Sequence, residues 1–211
     1  MIIIPARGGS KRIPNKNIVD LNGKPLIAHT IETCLSVTPE VYVSTDSEEI
    51  ASCAEFFGAK IIIRPKELAT DMSSTNSVVN HFLEVVDTGE YFACVQATSP
   101  LLESDYLLEG FKKIKDLQYN SIIAVTEVVG FYWTKDGLPV NFSLEEKRKR
   151  TQDSDKWYME NGAFYLTSRE SFQKSKNLIS KNVGFVTIPK QMSFEIDDYQ
   201  DLEIVKRMMK C

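Results

Sequence analysis

The chain has little of what most covalent or metal-binding motifs are made from: two histidines and four cysteines in 211 residues. Cys34, Cys53, Cys94 and Cys211 are widely separated, form no Cys-x-x-Cys pair and have no nearby histidine to complete a zinc site, so reduced thiols are expected. His29 and His81 accompany no serine or cysteine nucleophile motif, and each reads as a surface or core-edge residue of a helix. No run reaches the roughly 20 apolar residues of a membrane span. The first residues form a short apolar strand rather than a basic region followed by a long apolar one, which predicts a cytoplasmic protein without a membrane partner. A net charge of −4 leaves no excess of cations for a broad basic face, so nucleic acid is not an expected partner either. Repeats, low-complexity tracts and proline-rich linkers are absent, and a single domain over 1–211 is expected; a domain of that size buries roughly 70% of its unfolded surface.

Positive charge is concentrated instead. Arg7, Lys11, Arg12 and Lys16 all precede the first acidic residue, and they surround Gly8-Gly9-Ser10 just after the apolar run Ile2-Ile3-Ile4. The run reads as a buried parallel strand; the glycines let backbone N–H groups approach a ligand, and Ser10 adds a hydroxyl. A polyphosphate fits such a loop. The spacing is neither Gly-x-Gly-x-x-Gly nor Gly-x4-Gly-Lys-[Ser/Thr], so neither the dinucleotide fingerprint nor the P-loop applies. Two glycines alone would read as a solvated turn; four interleaved cations weigh against that.

Downstream, apolar residues alternate between strand and helix spacing. Leu26, Ile27, Ile31, Cys34 and Leu35 predict a first helix, 41–43 a strand, and Ile50, Ala51, Ala54 and Phe57 a second helix ending at Gly58. Thr45 with Glu48, or Asp46 with Glu49, are the capping-box candidates for that second helix, and capping accounts for Asp46. Strands at 60–63, 91–96 and 121–126 alternate with helices around Val78, Val79, Phe82 and Val86 and around Leu107, Leu108, Phe111 and Ile114. This rhythm predicts an α/β fold, a doubly wound and mostly parallel sheet, with ligands beyond the C-terminal ends of the strands. It breaks at about 129–158, an aromatic and charged excursion expected to act as a lid or to meet a partner subunit. Strands at 163–166 and 183–188 and a closing helix carrying Leu202, Ile204, Val205, Met208 and Met209 complete the chain.

Ahead of that closing helix stands Glu195-Ile196-Asp197-Asp198. In an extended segment Glu195 and Asp197 share a face and repel each other unless a cation lies between them. Magnesium suits such a pair, being held by one or two carboxylates together with substrate phosphates. The competing reading is a helix N-cap, open to Asp197 or Asp198, and the two roles can coexist.

The string Pro5-Ala6-Arg7-Gly8-Gly9-Ser10-Lys11 through Pro14-Asn15-Lys16-Asn17 resembles the signature of the acylneuraminate cytidylyltransferases, which include bacterial relatives acting on legionaminate and pseudaminate. Four further strings resemble the family's motifs in order: Arg64-Pro65-Lys66-Glu67-Leu68-Ala69-Thr70-Asp71 followed by Ser73, Ser74 and Thr75; Gln96-Ala97-Thr98-Ser99-Pro100; Asn161-Gly162-Ala163-Phe164-Tyr165; and Glu195-Ile196-Asp197. The resemblance implies a Mg-dependent transfer of CMP from CTP to the anomeric hydroxyl of a nine-carbon 2-keto sugar acid. It places Arg7, Ser10, Lys11, Lys16 and Asn17 on the CTP phosphates and nucleoside, with Lys16 and Arg7 catalytic. Arg64, Ser73 and Thr75 fall on the nucleotide side, Gln96, Asn161, Tyr165 and Arg150 (or Arg148) on the sugar acid, and Glu195 and Asp197 on magnesium. It also implies a homodimer built through the excursion. Direct nucleotidyl transfer agrees with the lack of a covalent nucleophile, since positioning and charge neutralisation carry such chemistry.

Three positions depart from the pattern: Glu195 stands where aspartate is common, Ala97 replaces a proline, and Met159 stands where sialate-type members often carry arginine. The acid is left open among N-acetylneuraminate, legionaminate and pseudaminate. An octulosonate cytidylyltransferase and a non-catalytic nucleotide-binding regulator are the rival readings.

Overall fold

A computed structural model describes residues 1–210; Cys211 lies outside the described residues. Its centre is β1 (Ile2–Pro5), whose three isoleucines are fully buried. Ile2 and Ile4 face one layer and Ile3 the other, as the two-residue period of a strand requires. After β1 a small hairpin forms from β2 (Asp20–Leu21) and β3 (Lys24–Pro25), joined through Asn22 and Gly23, both at positive φ. The chain continues through α1 (Leu26–Leu35), β4 (Val41–Thr45), α2 (Glu48–Phe56), β5 (Lys60–Ile63), α3 (Thr75–Val85), β6 (Tyr91–Val95), α4 (Ser104–Asp116) and β7 (Ser121–Val128). It ends with β8 (Trp157–Ser168), α5 (Arg169–Ser175), β9 (Val183–Thr187) and α6 (Tyr199–Met208).

Seven strands form one sheet in the order β5-β4-β1-β6-β8-β7-β9. The pairs β1–β4, β4–β5, β1–β6 and β7–β9 are parallel, and β8 is inserted antiparallel between β6 and β7. The expected doubly wound, mostly parallel sheet is present. Helices α1, α2 and α4 cover one face with Ile27, Ile31, Ile50, Ala54, Leu107 and Ile114. On the other face α3 and α5 contribute Val78, Val79, Phe82 and Phe172, packed on Ile3 and Phe92. A third cluster, Ile13, Leu21, Leu26, Ile196, Leu202 and Val205, fastens α6 to the hairpin and to the loop after β1. The first and last segments of the chain therefore meet.

Local details differ from the expectations in three places. Neither Thr45 nor Asp46 caps α2: Ser47 is the N-cap, accepting the Ile50 N–H, while Thr45 accepts the Ser47 N–H. β8 begins at Trp157, six residues before the strand expected at 163, because pairing with Glu127 and Val128 extends it where apolar alternation is weak. The hairpin and α5 are too short to show a period. Between Ile123 and Val125 the β7–β8 register shifts, and the bulge falls on β8 around Asn161 and Gly162. The four-cysteine reading holds for the described residues: Cys34, Cys53 and Cys94 are free thiols.

Candidate active site

The loop leaving β1 opens a cleft of about 290 Å³ at the C-terminal end of the central strands, lined by Arg7, Ser10, Lys11, Arg12, Lys16, Asn17 and Asp197. Strand order reverses around β1, the position where open α/β sheets bind ligands. Two contacts shape the loop. Gly8 donates its N–H to Asp46 at 2.9 Å, drawing the loop onto the end of β4. Buried Asn17 donates its side-chain amide to the Arg7 carbonyl at 2.9 Å, closing the loop on itself. Gly9 takes φ +65, a conformation that costs glycine least.

The four cations of the loop are divided between two aspartates. Arg7 and Lys11 both pair with Asp71, the former at 2.7 Å. Asp197 takes Lys16 on one oxygen at 3.0 Å and Arg12 on the other at 3.2 Å. Lys16 also donates to the Ile196 carbonyl at 3.0 Å and is the least exposed of the four, with 16% of its side chain accessible. The competition between cap and cleft roles near α6 is resolved by a division of labour. Asp198 is the N-cap and Asp201 reciprocates in a capping box, which leaves the Asp197 carboxylate to the cleft.

Glu195 and Asp197 flank fully buried Ile196, whose N–H is held by the Thr98 carbonyl at 2.8 Å, so alternation turns both carboxylates away from the core. Their environments push them in opposite directions. Burial raises the Glu195 carboxyl and the charge of Asp197 adds to it, against Lys16. Burial acts the same way on Asp197, but the Lys16 hydrogen bond and the Lys16 and Arg12 charges outweigh it and hold that carboxyl below the usual range. Glu195 and Asp197 form an oxygen-only pair, the donor chemistry that magnesium takes, with Lys16 and Arg12 occupying the two Asp197 oxygens in this structure. Glu195 sits over Gly162, where a Cβ would collide with its carboxylate.

A second cavity, of about 300 Å³, is lined by Thr75, Asn76, Gln96, Glu160, Tyr165 and Leu178. Tyr165 donates its hydroxyl to Glu160 at 2.5 Å. Burial pushes the phenol far above its usual value, the Glu160 hydrogen bond adds to this, and the charge of Glu195 contributes.

The structure brings Arg7, Ser10, Lys11, Lys16, Asn17 and Asp197 together at the first cavity, and Gln96, Tyr165 and Thr75 at the second. Thr75, grouped with the nucleotide residues from the sequence, lines the second cavity. Arg64 is 5% exposed and donates to Ser44 Oγ, the Ser44 carbonyl at 2.7 Å and the Leu68 carbonyl, so it buttresses β4 and the 66–68 turn. Ser73 closes a turn, accepting the Thr70 N–H and donating to the Glu67 carbonyl. Asn161 is buried in the β8 bulge, donating to Thr126 and accepting from the Ala163 N–H. Arg150 is exposed, pairs with Asp153 and lines neither cavity, and Arg148 stacks on Phe131 at 4.3 Å. Two site residues had no assigned role in the sequence reading, Asp71 and Glu160, and a third, Asp46, was read as a helix cap. Asp71 ended a recognised motif and Glu160 adjoined another, which was the available signal; for Asp46 local capping gave a sufficient but incorrect explanation.

A doubly wound sheet with a glycine-and-cation loop at its switch point, closed on Asp197, agrees with a nucleotidyltransferase. The cytidylyltransferase family model matches residues 1–210, and the chain belongs to that family. It is 35% identical to the pseudaminic acid cytidylyltransferase of Campylobacter jejuni, over all of this chain and 96% of that protein. Identity to the N-acylneuraminate cytidylyltransferase of Escherichia coli is 33% over 96% of the chain, which spans half of that longer protein. Among solved structures, a CMP:2-keto-3-deoxy-manno-octonic acid synthetase complexed with CTP matches with TM-score 0.77 at 20% identity, covering 99% of this chain and 97% of the other, a likeness of fold.

Proposed function

We propose that the protein transfers CMP from CTP to the anomeric hydroxyl of a nine-carbon 2-keto sugar acid of the pseudaminate or N-acylneuraminate kind, releasing pyrophosphate. The observation that carries this reading is the four-cation cleft at the switch point of the sheet, closed by Asp197 through Lys16 and Arg12. Whole-length similarity to a pseudaminic acid cytidylyltransferase supports the acid class.

In this reading the triphosphate displaces Asp71 from Arg7 and Lys11, and the Gly8–Ser10 segment approaches its oxygens. Lys16, partly buried and held against the 196–197 segment, neutralises charge developing on the α-phosphate. At an effective dielectric of 20, a cation about 4 Å from a phosphate oxygen contributes on the order of 4 kcal/mol before desolvation. Arg7 and Lys11 hold the leaving pyrophosphate. Gln96 and Tyr165 orient the acid so that its anomeric oxygen forms the new bond to the α-phosphorus as the α–β bond breaks; the electron pair leaves with pyrophosphate and the hydroxyl proton passes to solvent. Glu195 and Asp197 would hold magnesium, which supplies charge neutralisation on the phosphates. Arg64, Ser73 and Asn161 support these groups by fixing the backbone on which they stand.

The chain acts as one catalytic unit and pairs with a second copy through residues 129–158, where Tyr132, Trp133 and Leu138 are exposed. Arg150, which lines neither of its own chain's two cavities, then serves the partner's acid. The test is pyrophosphate release from CTP and Mg2+ with pseudaminate, legionaminate and N-acetylneuraminate in turn. Folded protein that releases none with any of the three overturns the reading.

A further inference from the structure

Three successive N–H groups are held just ahead of α6. Ile196 donates to the Thr98 carbonyl at 2.8 Å, and Asp197 and Asp198 both donate to one oxygen of Asp201, at 2.9 and 3.1 Å. Only the Asp198 bond belongs to the capping box, in which the third residue of a helix receives the N–H of its cap. The bond from Asp197 lies one residue outside the helix and satisfies none of the helix's own orphan donors. It falls instead on the peptide that faces the cleft. The Ile196 carbonyl and the Asp197 N–H belong to one planar trans unit, so they point in opposite directions. Lys16 donates to that carbonyl at 3.0 Å on one side, and Asp201 receives the N–H on the other.

We propose that Asp201 is a positioning residue for the transfer step: by holding the 196–197 peptide it aims the Ile196 carbonyl and the Asp197 carboxylate at Lys16, and so sets where that ammonium meets the nucleotide. This rests on the function proposed above, in which Lys16 serves the α-phosphate. Asp201 lines neither cavity and acts only through the peptide. It is itself fixed, because its own N–H donates to Asp198 Oδ1 at 3.1 Å and its backbone belongs to α6, which the third core cluster fastens down through Leu202 and Val205. A carboxylate on the N–H side also polarises the peptide, which strengthens the carbonyl as an acceptor for Lys16. The loop after β1 thereby takes the position of its least exposed cation from the first turn of the last helix. Small misplacements of a group that meets charge in the transition state are costly, so a residue without substrate contact still shows in the rate.

The test is a double-mutant cycle of Asp201→Ala with Lys16→Met, read as kcat for pyrophosphate release with pseudaminate and as CTP affinity by titration calorimetry. Asp201→Asn and Val205→Ala are the companions. D201A is expected to lower kcat about tenfold and to weaken CTP about threefold, and to add less than about twofold to either loss when Lys16 is already Met. D201N keeps an oxygen that accepts both N–H groups and retains most of the wild-type kcat. V205A removes core packing from the same helix, lowers the urea midpoint as D201A does, and leaves kcat and CTP affinity within about twofold. A D201A loss that persists undiminished in the K16M background, or a D201A enzyme with wild-type kcat and CTP affinity, reduces Asp201 to a helix cap and overturns the inference while the proposed function stands. A wild type that binds CTP but releases no pyrophosphate overturns the proposed function, and the calorimetric cycle then decides the inference. A wild type that does not bind CTP overturns both.

Discussion

Lys16 donates its ammonium to Asp197 at 3.0 Å and to the neighbouring Ile196 carbonyl at the same distance, across 180 positions of chain. One contact thus joins the loop after β1 to the segment before α6, and it places a cation where a triphosphate would otherwise meet the carboxylate pair. Replacing Lys16 by Met keeps the stem and removes the charge. The expected outcome is a fall in kcat of about 10²–10³-fold, the scale of losing one preorganised electrostatic donor, with a smaller change in KM for CTP. Steady-state pyrophosphate release checks it; a K16M enzyme within fivefold of wild type removes Lys16 from the catalytic role.

Asp71 occupies Arg7 and Lys11 as a phosphate would. Asp71→Asn should free both cations and tighten CTP several-fold in titration calorimetry, with a steeper dependence on salt. The pH dependence has a definite sign. The Lys11 hydrogen bond, joined by that of Arg7, holds the Asp71 carboxyl below the usual range. The clamp is therefore fully formed above the ordinary aspartate pKa and is lost only as pH falls through the depressed value. Equal CTP affinity in D71N and wild type would show that the clamp does not compete with nucleotide.

Gly162 stands at φ +74 in the bulge of β8, and a methyl group there would run into the Glu195 carboxylate. Gly162→Ala is expected to destabilise the fold by about 1–3 kcal/mol. Because the displaced group is half of the proposed magnesium pair, the activity that remains should need a higher Mg2+ concentration. Chemical denaturation and a Mg2+ titration read the two effects separately, and a wild-type value in both contradicts the packing described.

Burial pushes the Cys94 thiol up to about 12 and raises Cys34 as well, while the partly exposed Cys53 is raised less. Held so far above its usual value, Cys94 carries almost no thiolate, the form that reacts, at pH 8. Peptide-level alkylation of native protein should label Cys53 first, with Cys34 and Cys94 labelled only after denaturation. Early modification of Cys94 would mean that the β6 core opens readily.

Much of the fold is local in origin and was legible on that account. Ile2, Ile3 and Ile4 can be satisfied only by a strand covered on both faces, and the strand–helix alternation to residue 127 admits few arrangements other than a wound parallel sheet. The β8 insertion was not legible, since an antiparallel strand between β6 and β7 is selected by pairing partners far along the chain. Asp46 illustrates the limit at the site. Its position before a helix suggested a cap, but Ser47 takes that role, and Asp46 turns 38 positions back to the Gly8 N–H.

What the sequence determined by itself was the set of chemical groups: a glycine loop crowded with cations, two carboxylates flanking an isoleucine, and a chain able to wind a parallel sheet. Tertiary structure decided which groups meet. It paired four cations with two aspartates, removed Arg64 and Asn161 into the framework, kept Arg150 away from its own chain's cavities, and set Glu160 beside Tyr165. The reason is physical. Burial and hydrogen-bonding demands of isoleucine, glycine and capping residues act within a few positions, whereas electrostatic partners are chosen by sheet order and by the bulge that turns β8.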